Sequence, residues 1–153
     1  MGVGMNEASK LVGTAVTASV AGRMLGGQID ADKAAGQRAQ EENNKLTLEN
    51  KQDVAEQGIL SDTIEGAQAD YNDALGDLKA AKELRPQAQS AEEGKWLDDQ
   101  LYNSASTMAH SESEIQKAQE AFRVLQDKID ARNFMMQNNK KAIARAQRWG
   151  GRR

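Results

Sequence analysis

The sequence predicts an all-α protein of long, water-facing helices, and three observations carry that reading. Apolar residues make up 39% of the 153 positions and aromatic residues 4%, with a single proline. An ordinary globular domain has about 45–50% apolar residues, so no thick core is expected. Ala, Gln, Glu, Lys, Asp and Asn dominate, and β-branched residues are sparse after the first thirty, which favours helix over sheet. Apolar residues also recur at heptad spacing over long stretches, the pattern of helices that pack along a seam. A chain of this length fits one domain. The expected architecture is a coiled-coil-like hairpin or kinked helix, preceded by a small-residue N-terminal helix and assembling as an oligomer.

The first segment, residues 1–36, holds seven of the 13 glycines and contains the uncharged run LVGTAVTASVAG from Leu11 to Gly22. Val12, Val16 and Val20 recur every four residues and would form one helical stripe. The run ends at Arg23 after twelve residues, short of the ~18–20 a membrane-spanning helix requires. It also lacks the basic start of a secretory signal, since Glu7 precedes Lys10. Ala18, Gly22 and Gly26 form a small-residue ladder that allows close helix approach, either in a soluble bundle or at a membrane.

Residues 37–85 read as the first long helix. Leu60, Ile64, Ala67, Tyr71, Ala74, Leu78 and Ala81 alternate by four and three, the spacing of a heptad seam. The large residues Ile64, Tyr71 and Leu78 alternate with alanines, so a second helix could lie close. Pro86 then breaks the helix, because its ring clashes with the preceding turn and disfavours helical geometry at Arg85. Ser90 and Glu93 form a capping-box pattern, placing a new helix start at about Ala91.

Residues 91–149 read as the second long helix. Leu101, Met108, Ile115, Phe122, Ile129, Met136 and Ile143 occupy one position in successive heptads without exception, a stripe that calls for a partner helix. The companion column, Leu97, Ser104, Ser111, Ala118, Leu125, Arg132 and Asn139, is mostly small or polar. Val124, Phe134, Met135 and Trp149 lie off the stripe and suggest a further interface.

Residues 150–153 form a basic tail after the second helix. From Arg132 onward the chain carries seven cations and no carboxylate side chain; subtracting these from the net −3 leaves −10 on residues 1–131. Lys140, Lys141, Arg145, Arg148, Arg152 and Arg153 are the expected anion-binding group. Cations near the negative end of a helix dipole are the plainer reading of the same residues.

No enzyme chemistry is expected. There is no cysteine, which excludes disulfides, thiolate nucleophiles and cysteine-based zinc sites. His110 is the only histidine, and the adjacent Ser111 does not share its helix face. Asp30, Asp32 and Glu41 are spaced somewhat like a calcium loop, yet Ala34 and Ala35 stand where a ligand and the turn glycine belong. Glycine-rich phosphate motifs are absent, and no cofactor is expected.

The overall plan runs from an Ala/Gly-rich start (GTAVTASVAGRMLGG) through a charged Ala/Gln-rich helix (AAGQRAQEENNKL) to a long Gln/Asn-rich helix ending basic. In this it resembles the small internal virion proteins, or ejection proteins, of short-tailed bacteriophages. The resemblance implies location in the virion, at the capsid interior or neck, and then in the host cell envelope after ejection. It implies a homo-oligomeric channel for genome delivery, partnered by itself and other virion proteins. The N-terminal segment would meet membrane, and the basic C-terminus DNA. A soluble scaffolding, neck or adaptor protein is the alternative.

Overall fold

The computed structural model describes the backbone of residues 18–150 and the side chains of residues 25–149. Among the described residues there are two α-helices, α1 (Ala18–Leu84) and α2 (Ala91–Gly150), joined by a 3₁₀ turn at Arg85–Gln87, and no strand. The two long helices pack against each other. The chain divides into two compact units, one from the described residues of Met1–Gln52 and Lys128–Arg153, the other Asp53–Asp127.

The second unit contains the turn and is an antiparallel hairpin, which resolves the choice between hairpin and kink. Helix α1 ends at Leu84, as the ring of Pro86 requires. Ser90 caps α2 by accepting the Glu93 N–H through its hydroxyl at 3.1 Å. The Glu93 carboxylate reaches back one residue further than a standard capping box, accepting the Gln89 N–H at 3.2 Å. Arg85 then ties the turn to α2 through a 2.8 Å bond from Nε to Asp98. That hydrogen bond, and secondarily the carboxylate's charge, raise the pKa of the guanidinium.

Small residues hold the centre of this hairpin. Ala67, Ala74 and Ala81 on α1 and Leu97, Ser104, Ser111 and Ala118 on α2 are buried, Leu97 most fully at 2% exposure. Ile64, Tyr71 and Leu78 on α1 and Leu101, Met108, Ile115 and Phe122 on α2 are half-buried along its edges. The companion column of α2 is thus more deeply buried than the apolar stripe. The reason is steric: where backbones approach closely, only small side chains fit between them, and larger ones splay outward over the seam.

In the first unit, α1 passes through Gly36 without interruption. The expected boundary between a separate N-terminal helix at 1–36 and a long helix from residue 37 is not a structural break. The heptad columns continue through it, with Asp32, Ala39 and Leu46 buried in one and Gly36, Asn43 and Asn50 in the other. Gly36 stands where a side chain has no room: a Cβ there would collide with the Ala146 Cβ and lie 3.2 Å from the Ala142 carbonyl oxygen. A glycine that lowers the helix propensity here permits the packing.

Candidate interaction surfaces

The first unit's seam is lined by amides, and the amides pair. Asn139 donates to the Asn43 side-chain oxygen at 2.9 Å, and Asn43 donates to the Met136 carbonyl at 3.4 Å. Asn50 donates to the Asn133 oxygen at 3.0 Å while its own oxygen accepts from Arg132 at 3.4 Å. The Arg132 Nε lies 3.2 Å from the Glu49 carboxylate. At the base of α1, Asp32 is buried; its carboxylate accepts from Gln28 at 2.8 Å and from the Trp149 indole N–H at 2.6 Å. In the second unit, Gln57 is buried and donates to Gln126 at 3.1 Å and to the Phe122 carbonyl at 3.4 Å.

These pairings fix the antiparallel register. Polar groups in a seam cost desolvation unless matched, and a shift of either helix by one heptad would break all of these bonds at once. Sequence reasoning did not identify them. Their signal was available, because Gly36, Asn43, Asn50 and Gln57 extend the Ile64, Tyr71, Leu78 column backward at intervals of seven.

Of the expected seam residues, Ile129 is buried, and Leu101, Met108, Ile115, Phe122, Met136, Ile143, Ile64, Tyr71 and Leu78 are half-buried. Of the close-packing group, Val12 and Val16 lie outside the described residues. Ala18, Val20 and Gly22 are described only as helical backbone. Gly26 is exposed with open space around it, so it makes no close helix contact among the described residues. No described helix is long and apolar enough to cross a membrane.

The outward faces carry two kinds of group. Large apolar side chains stand in solvent: Leu48 and Phe134 (70% exposed) in the first unit, Ile59 (65%), Trp96, Tyr102 (73%) and Val124 in the second. Trp149 is half-buried by its bond to Asp32 and does not belong with them. The cations Lys140, Lys141, Arg145 and Arg148 are exposed on α2, whereas Arg152 and Arg153 lie outside the described residues.

Among the described residues no reacting constellation is assembled around the histidine. His110 is exposed, its Nε2 3.1 Å from the Glu114 carboxylate one turn on, while Ser111 points into the seam and is buried. Among the described residues no cluster of histidine and carboxylate groups could hold a metal ion. Asp30 and Glu41 are exposed, and Asp32 is held by Gln28 and Trp149. Comparison with known proteins gives no match to any family, curated protein or solved structure.

Proposed function

We propose that this chain is a structural, non-enzymatic protein that assembles with copies of itself, as an internal or ejection component of a bacteriophage virion. The observation that carries the assembly reading is the set of large apolar side chains on the outward faces, above all Phe134 and Ile59. The seam between α1 and α2 is already filled by small residues and paired amides, so these groups have no role in holding the hairpin. Their exposure would cost solubility without an assembled state to cover them. The virion assignment rests on the resemblance of the sequence plan, with its Ala/Gly-rich start and basic end.

A soluble adaptor is the second reading, favoured by the closure of the seam within one chain. A hairpin that satisfies its own polar layers can present its outer faces to different partners. Sedimentation and electron microscopy of the full chain test the assembly: a discrete ring or tube is expected. The assembly reading is overturned by a monomer at ~100 μM, well above typical protein–protein dissociation constants. Vesicle permeabilisation then separates the two, since the ejection component should permeabilise lipid through residues 11–27 and the adaptor should not.

A further inference from the structure

We propose that the outward stripe of Lys141, Arg145 and Arg148 on α2 is a binding surface for the phosphate backbone of DNA. This rests on the virion reading for the choice of polyanion and names the surface that would meet the genome.

The three residues are spaced by four and three, so they lie on one helix face. All three are exposed, while Ala142 between them and Asn139 just before them are buried and Ile143 and Ala146 half-buried. The stripe therefore points away from α1, with Lys140 at its edge. None of these four cations forms an ion pair with a described residue. Their isolation is peculiar to this end of the chain. Every other lysine or arginine among residues 25–149 has a carboxylate within four positions along the chain, whereas no acidic residue follows Asp130.

The helix dipole does not account for the arrangement. Its attraction for cations falls off within the last turn, and Arg148 is the basic residue there; Lys141 and Arg145 stand further back. The nearest large apolar group on this face, Phe134, stands one heptad before Lys141, about 10 Å back along the axis, with the uncharged Asn138 between them, so the stripe itself from Lys141 to Arg148 holds no apolar anchor. A linear array of cations without an anchor fits a linear array of phosphates. From Lys141 to Arg148 the helix rises about 10 Å, and duplex DNA presents one charge per ~1.7 Å of its axis, so several phosphates lie within reach.

The test compares two charge-matched variants of the full chain by fluorescence anisotropy with a labelled DNA duplex, from about 20 to 200 mM salt. One carries Lys141→Gln, Arg145→Gln and Arg148→Gln. The other carries Lys79→Gln, Lys82→Gln and Lys95→Gln, which removes the same charge from positions flanked by acids. Each phosphate neutralised contributes about −0.9 to the slope of log affinity against log salt, so the stripe variant should flatten that slope by about 2.7, and the control should keep it. Over a tenfold salt increase this is about a 500-fold smaller loss of affinity. Equal effects of the two variants would overturn the assignment, as would unchanged binding by the stripe variant or no salt-dependent binding by the unmodified chain. Oligomer size, read by sedimentation on the same samples, separates failure of this surface from failure of the assembly reading.

Discussion

The same substitution should have opposite signs at two glycines of α1. At Gly66 an added Cβ meets nothing within 4 Å, so Gly66→Ala removes backbone entropy from the unfolded chain without a steric cost. Alanine is favoured over glycine in a helix interior by about 0.8–1 kcal/mol, and stability should rise by that amount. Gly36→Ala brings the same propensity gain, but its Cβ would overlap the Ala146 Cβ and crowd the Ala142 carbonyl oxygen. Both obstacles are fixed to the α2 backbone, so no rotamer change relieves them and the helices must part locally. Overpacking of this kind costs about 1–3 kcal/mol, leaving a net loss of about 1 kcal/mol. The two variants should therefore differ by roughly 2 kcal/mol in urea denaturation followed by circular dichroism, or by about 4–8 °C in Tm for a chain of this size. Ala146→Gly should rescue Gly36→Ala and leave Gly66→Ala unaffected. If Gly36→Ala stabilises as much as Gly66→Ala, the close approach of the two helices at this layer is wrong.

The remaining predictions concern the seam. Phe122 is half-buried, so Phe122→Ala should cost about 2 kcal/mol rather than the ~3–5 of a fully buried ring, while Tyr102→Ala on the outer face should stay within ~0.5 kcal/mol in the same melts. Asn43→Leu alone should destabilise by about 1–3 kcal/mol by leaving Asn139 without its acceptor. Adding Asn139→Leu should recover that loss or exceed wild-type stability while relaxing the pairing register, and a double-mutant cycle that finds no coupling refutes the amide layer. In a Trp96→Phe background, Asp32→Ala should red-shift and weaken the protection of Trp149 fluorescence, with Asp32→Asn intermediate; an unchanged spectrum would show that the indole bond does not form.

The long helices and their break were legible because their causes are local. Pro86, the Ser90 cap and the unbroken Leu101-to-Ile143 stripe each act within a few residues or at one fixed spacing. Which column would be deepest was not legible from hydrophobicity. Ser104, Ser111 and Ala118 are buried by their place against the other helix, which their own hydrophobicity does not announce. Gly36 misled for the same reason. Read singly, it suggested the end of a small-residue segment; its meaning depends on Ala142 and Ala146, more than a hundred residues away. Asn139 stood out only as a polar member of the companion column, and the amides at 43, 50 and 133 read as ordinary solvated helix positions until the partner helix supplies their hydrogen bonds.

The unequal composition of the two seams has a consequence for how each opens. Matched amides specify a register but return little net free energy, since water would satisfy the same groups after separation. Packed apolar and small side chains lose contacts that water does not replace. At the layers of Asn43, Asn50, Asn133 and Asn139, opening therefore costs less free energy than at a layer packed around a fully buried side chain such as Leu97. Local, reversible opening is then cheapest beside the exposed cations of α2.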